Sequence, residues 1–186
     1  MATVFVAFLG MGLYRVNRPT KIPSLPSKSM IEESMMGVKA YRFDNTGELS
    51  QEMQMKQGFR YRSQNTFHMV APMVKIYHRD ACWHIRADQG ESRQAGRSKK
   101  IDQLFLYNHV EVKRIETQKN PIHHNWVLKT HSLQYSPTTA LATSNDPVTL
   151  LNGEAQIQAQ GLRADFNEHT IELLKRVNSH YAKQRS

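Results

Sequence analysis

Cysteine is almost absent: Cys82 is the one thiol in 186 residues. A lone cysteine excludes an intrachain disulfide and any zinc cluster built on thiolates. Close to Asp80 and Trp83, it reads as a half-buried strand residue. Acidic residues are scarce as well, 16 against 25 Lys and Arg, which leaves a formal charge of +9. Such a surplus attracts polyanions, whether nucleic acid or anionic lipid. The basic residues are nevertheless spread along the chain, and the densest cluster is Arg93, Arg97, Lys99 and Lys100. With no RNP-type aromatic signature, zinc-finger spacing or helix-turn-helix pattern, nucleic acid is not an expected partner.

Catalytic motifs are missing too. There is no Gly-x-Ser-x-Gly elbow, Walker loop, His-Glu-x-x-His or Gly-x-Gly-x-x-Gly, and no context singles out a pair of carboxylates. Nine histidines raise the question of metal. His123 and His124 are adjacent, so in a strand they point to opposite faces, and His131 is too loosely spaced to complete a site. His84 shares a face with Cys82, but no second pair supplies four ligands. No metal, cofactor or catalytic residue is expected.

Long apolar runs are limited to Ala2 to Tyr14. A membrane-spanning helix needs about 20 apolar residues, and no basic segment precedes this one as in a signal peptide. Arg15, Arg18 and the prolines Pro19, Pro23 and Pro26 follow it. The pattern is that of a short membrane anchor, residues 1–15, and a polar juxtamembrane linker, 16–34. The positive-inside rule places Arg15, Arg18 and Lys21 in the cytoplasm, against a domain on the far side. A start upstream of Met1, supplying the basic flank and the first turns, reconciles the two. The alternative is an apolar helix buried in the domain.

Beyond the linker the hydrophobic period becomes two. Phe67, Met69, Ala71 and Met73 fall on one face; Trp83, Ile85 and Ala87 oppose His84, Arg86 and Asp88; Val110 and Val112 oppose His109 and Glu111. Ala155, Ile157 and Ala159 alternate with glutamines, and after Gly161 the phase shifts to Leu162, Ala164 and Phe166, as across a turn or bulge. Turn signals stand at Asp44–Gly47, Gln89–Gly90, Lys119–Pro121, Ser136–Pro137, Asn145–Pro147 and Asn152–Gly153. These features predict an all-β sandwich, barrel or jelly roll with no long helix before residue 168. Ile171 to Tyr181 fits helix or strand. A weak repeat, with Trp83 echoed by Trp126 and Leu104–Val112 by Val148–Ile157, suggests stacked β-units with two unpaired ends.

Trp83–Asp88, Leu104–Val112, Asp146–Gly153, Gly161-Leu162 and Glu172–Val177, with the Asp44–Gly47 turn that opens the domain, occur in an order that resembles the LptC family over residues 35 to 181. The resemblance implies a twisted antiparallel β-jelly roll with open ends and a hydrophobic groove, residues 35–181, followed by a tail, 182–186. It implies a non-enzymatic, single-pass inner-membrane protein with its domain in the periplasm. Such a protein receives lipopolysaccharide from the LptB, LptF and LptG transporter and passes it to LptA. Within that frame, alternation places Phe67, Met69, Met73, Ile85, Phe105, Val110, Leu128, Ile157, Phe166 and Ile171 toward the groove. Val38, Tyr41 and Phe43 belong to the edge facing the transporter, and Ile171, Leu173 and Tyr181 to the edge facing LptA. Gly47 and Gly153 fall at family glycine positions, and Gly161 joins them as a structural glycine. Arg93, Arg97, Lys99 and Lys100 are candidates for lipid phosphates or form a solvated basic loop. Two other readings stay open: a soluble LptA-like bridge without a tether, and an envelope β-scaffold that binds no lipid.

Overall fold

In the computed structural model the described residues are 31–61, 66–78, 81–94, 101–116, 126–152 and 155–181, all within a unit that begins at Ile31. The expected anchor, most of the linker, the tail 182–186, the Lys119–Pro121 turn, Gly153, Arg97, Lys99, Lys100, His123 and His124 lie outside them. Every described element is a strand: β1 (Ile31–Phe43), β2 (Leu49–Tyr61), β3 (Thr66–Val70), β4 (Met73–Tyr77), β5 (Ala81–Arg86), β6 (Gln89–Gln94), β7 (Ile101–Glu116), β8 (Trp126–Ser136), β9 (Leu141–Asn152), β10 (Ala155–Asp165) and β11 (Thr170–Tyr181). Among the described residues no helix is long and apolar enough to cross a membrane.

All pairings are antiparallel. The long strands β2 and β7 each pair with two short ones. Gln51–Gln54 of β2 pair with β4 and Gln57–Arg60 with β3; the second half of β7 pairs with β5 and the first half with β6. Since β3 also pairs with β6, and β4 with β5, these six strands close a ring. The order β7-β8-β9-β10-β11 extends from it on one side, and β1 adds to β2 on the other.

A line of kinks crosses the whole sheet. It runs through Gly37 in β1, the Ala71–Pro72 corner between β3 and β4, and the Ala87–Asp88 corner between β5 and β6. It continues through Asn108–His109 in β7 and the register shifts in β8, β9, β10 and β11. Five of these residues take positive φ: Gly37, Ala71, Asn108, His109 and Gly161, joined by Arg176 in β11. At the corners the backbone bonds to itself, Ala71 N to Asp88 O at 2.8 Å, Ala87 N to Pro72 O at 3.1 Å and Asp88 N to Asn108 O at 3.0 Å. The kinks fold the sheet into two leaves whose inner faces share a single apolar core.

Two expected turns are part of this line instead. Gln89–Gly90 opens β6, and Asn145–Pro147 forms a bulge inside β9. Side chains replace the ladder bonds lost there: Thr130 Oγ1 donates to Pro147 O at 3.1 Å, Asp146 N to Ser144 Oγ at 3.1 Å, and Ser132 Oγ to Asp146 Oδ2. The tail that fitted helix or strand is a strand through Tyr181, and Gly161 sits at a bulge with φ +83°.

Candidate functional site

Directly opposed residues of antiparallel strands share a face, so the register converts the sequence into rows of inward side chains. One row runs Ala40, Met53, Val74, Ile85, Val112, Leu128, Leu150, Ile157 across eight strands of the first leaf. A second, on the other leaf, runs Phe67, Ser92, Leu104, Tyr135, Ala142, Ala164, Ile171. A shorter third contains Gly58, Met69, Gly90, Leu106 and Leu133. Gly58 has to be glycine for a packing reason, since a Cβ there would come within 2.3 Å of the Phe67 ring.

Of the residues expected to face inward, Met69, Ile85, Val110, Leu128 and Phe166 are fully buried, and Phe67 and Ile171 are half-buried against the core. Ile157 is half-buried in the first row. Met73 and Phe105 face outward, contrary to expectation. The Ala71–Pro72 corner interrupts the alternation, so Val74 and Ile76 take the interior while Met73 pairs with Gln54 and Arg86. In β7 the inward positions go to Leu104 and Leu106, and Phe105 lies under the Arg93 guanidinium, 4.9 Å from the ring centre. The interior also takes Leu133 and Tyr135, which alternation in Ser132–Ser136 already signals.

Opposite the fold line, the free ends of the leaves meet. Arg42 Nη1 donates to Pro137 O at 2.6 Å and Gln51 Nε2 to the same oxygen at 3.0 Å, tying the β1–β2 end to the β8–β9 turn. Further along, Trp83 Nε1 donates to His169 Nδ1 at 3.4 Å and the His78 and His169 rings meet edge to face at 4.7 Å. Burial, then the neighbouring His169, lowers the His78 pKa. Behind this contact Trp83 packs on Trp126 and Phe166, with ring centres 4.9 and 5.0 Å apart.

Just inside the Arg42 clasp lies a cavity of about 800 Å³. Met53 and Val74 line it from one leaf, Ile101, Leu104 and Tyr135 from the other, and Arg42, Asp44 and Pro137 form its rim. Tyr135 is fully buried and its hydroxyl has no hydrogen-bond partner among the described residues. Burial raises the phenol pKa, against the pull of the Arg42 charge. Asp44 is committed to its own turn, accepting from Thr46 N at 2.8 Å, Thr46 Oγ1 at 2.7 Å and Glu48 N at 2.9 Å; these bonds, Thr46 first, lower its pKa.

The outer face of β2 and β4 carries a polar cluster. Glu52 accepts from Gln54, from Tyr77 Oη at 2.8 Å and from Lys75 Nζ at 3.1 Å, which together hold its carboxyl down at about 2. Burial and the same carboxylate push Tyr77 up to about 12. Among the described residues no three His, Cys, Asp or Glu side chains come together.

Among the described residues two strands have a single partner, β1 on β2 and β11 on β10, so within them both present an open edge. On β1, Tyr41 and Phe43 are exposed, Val38 packs against the core, and Met35 and Met36 are exposed beside them, Met36 by 79%. On β11, Ile171 and Leu173 pack inward while Leu174 and Val177 are exposed; Tyr181 belongs to the strand. Gly47, with φ +85°, closes the β1–β2 turn.

A family model described as lipopolysaccharide-assembly, LptC-related, matches residues 1–182. No curated protein matches the chain. Among solved structures the chain is similar to LptH of Pseudomonas aeruginosa, described as the LptA homologous periplasmic component of the lipopolysaccharide transport device. That likeness has 8% identity and a TM-score of 0.49, and covers 72% of this chain and 95% of that one.

Proposed function

The chain belongs to the LptC-related lipopolysaccharide-assembly family, and from that membership we propose that it is a non-enzymatic carrier that moves lipopolysaccharide between its two leaves. The observation that carries this reading is the continuous inward row from Ala40 to Ile157, an apolar track running from one edge region of the sheet toward the other. Each methylene withdrawn from water contributes about 0.8 kcal/mol, so acyl chains of ordinary length are held by apolar area alone. Sugars and phosphates stay in water at the mouth. In the closed form the Arg42, Gln51 and His169 contacts bridge that mouth, and cargo enters as the leaves part.

Transfer uses the edges. An open strand is a template for another chain's strand, and pairing there aligns the interiors of the two proteins. The β1 edge faces LptF and LptG, driven by the ATPase LptB, and the β11 edge faces LptA. The protein is a single-pass inner-membrane protein with residues 1–15 as anchor and the β-domain in the periplasm; recovery of the native protein wholly in the soluble fraction would overturn the anchored reading. The carrier reading is tested with a photo-crosslinking residue at Met69 or Ile85, compared with outward Arg163. Capture of lipopolysaccharide at the inward positions and not at Arg163 is expected. Equal capture at all three, or none, sinks the groove.

A further inference from the structure

Two histidines face each other across the mouth, one from each leaf. His78 follows β4 on the first leaf, where its N–H donates to Ala81 O at 3.0 Å. His169 comes from the β10–β11 turn of the second leaf, with φ +54°. Asp165 ties that turn down by accepting from Asn167 N at 3.0 Å and Glu168 N at 3.1 Å. Backbone bonds thus set the place of both rings, which meet edge to face with centres 4.7 Å apart.

The closed contact accommodates both rings only as neutral groups. His169 Nδ1 accepts from Trp83 Nε1 at 3.4 Å; an indole N–H can only donate, so that ring nitrogen carries no proton. His78 Nε2 is buried without a hydrogen-bond partner among the described residues. An imidazolium has a proton on both nitrogens. At His169 the added proton would set N–H against N–H, and at His78 it would leave a buried, charged donor without an acceptor. The surroundings offer no relief. No described carboxylate forms an ion pair with either ring. Asp165 is committed to its turn, Glu168 is exposed on it, and β8 contributes the uncharged Trp126. From β7 the Arg114 guanidinium lies 5.9 Å from the Trp83 ring centre, a further positive charge beside the contact.

We propose that His78 and His169 form a proton-released latch on the mouth, closed while both imidazoles are neutral and open once either takes up a second ring proton. Burial, then His169, lowers the His78 pKa in the closed form below its ordinary 6.5. Closure is therefore fully stabilised above that ordinary value and weakens as the pH falls below it, because the parted leaves bind the proton more readily. Between about pH 7.5 and about pH 5.5, release of a depressed imidazole to its ordinary value shifts the equilibrium about tenfold toward opening. The Arg42 and Gln51 clasp holds no group that titrates in this range, so the response belongs to the Trp83 end of the mouth. What passes through the opened mouth rests on the carrier reading; the latch itself does not.

Two measurements on the full chain test this. The first is the distance between spin labels on cysteines introduced at the exposed positions Ile115, on the first leaf, and Glu168, on the β10–β11 turn, with Cys82→Ser removing the native thiol. The distance distribution should lengthen from about pH 7.5 to about pH 5.5, with the open fraction relative to the closed one rising about tenfold, while the far-ultraviolet strand signal stays constant. Adding His78→Gln and His169→Gln, which keep a polar side chain but take no proton, should abolish the response. Identical distributions at the two pH values, lengthening that survives both substitutions, or lengthening that comes with loss of the strand signal overturns the proposal. The second measurement needs no variant: the ring protons of His78 are titrated by NMR in the wild type. The midpoint should lie below 6.5 and coincide with the onset of opening, and a midpoint at or above that value overturns the latch. Neither measurement contains lipid, so failure of the latch and failure of the carrier reading are separable.

Discussion

Glu52 is a carboxylate in a strand, flanked on the outer face by Gln54, Tyr77 and Lys75, all of which donate to it. Those bonds favour the charged form and hold the carboxyl at about 2, well below its ordinary 4.5. A group depressed in the folded state adds stability that is fully present above its unfolded value and disappears as the pH falls through the folded one. Glu52→Gln should therefore lower the melting temperature at pH 7, and the gap between variant and wild type should narrow from about pH 4.5 down to about pH 2. A gap that is constant over that range would assign the loss to packing rather than charge. At this scale the sequence was readable where alternation was unbroken, as for Ile85, Val110 and Leu128. It misled at Met73 because a corner, unlike a strand, resets which face the next residue takes. Gly58 gave no signal, since nothing local announces that Phe67 will lie across it.

Strands were legible as strands, and their bends were not. Asn145, Asp146 and Pro147 carry the chemistry of a turn, and in a sheet of straight strands they would make one. In this fold the same chemistry serves a bulge. Proline sits where the ladder is already interrupted, and Thr130, Ser132 and Ser144 satisfy the groups left over. The decision between turn and bulge belongs to neighbouring strands, which bend at the same level, and that information is not local. Gly161 was recognisable because the hydrophobic phase shifts across it. The edges lead to a prediction. Met36 on β1 and Val177 on β11 are exposed apolar residues on strands with one free side, and charge on an edge discourages strand addition. Met36→Lys should weaken binding to LptF and LptG while sparing LptA, and Val177→Lys should do the reverse. Each should leave stability within about 0.5 kcal/mol, as is usual for surface changes. Site-specific cross-linking to the three partners reads this directly, and loss of both junctions in either variant would contradict edge-wise docking.

For the molecule as a whole, the fold class and the family order were both legible, while the closure of the leaves was not. Closure depends on the Arg42 and Gln51 bonds to a carbonyl 95 and 86 residues away, a pairing that no periodicity records. Net charge adds a kinetic argument. The whole chain carries a formal charge of +9 while the core of the sheet is apolar, so on the carrier reading attraction of an anionic lipid acts during approach and fades once the acyl chains are enclosed. Long-range attraction of this kind raises association rates and is screened by salt over about 10 Å at 0.1 M, whereas apolar burial governs how long the ligand stays. Raising the ionic strength from about 0.02 to 0.3 M should slow lipopolysaccharide capture by about tenfold and change the dissociation rate by less than about twofold. Stopped-flow capture and chase experiments on one preparation separate the two rates. A salt effect concentrated in dissociation would mean that surface cations, and not the interior between the leaves, hold the lipid.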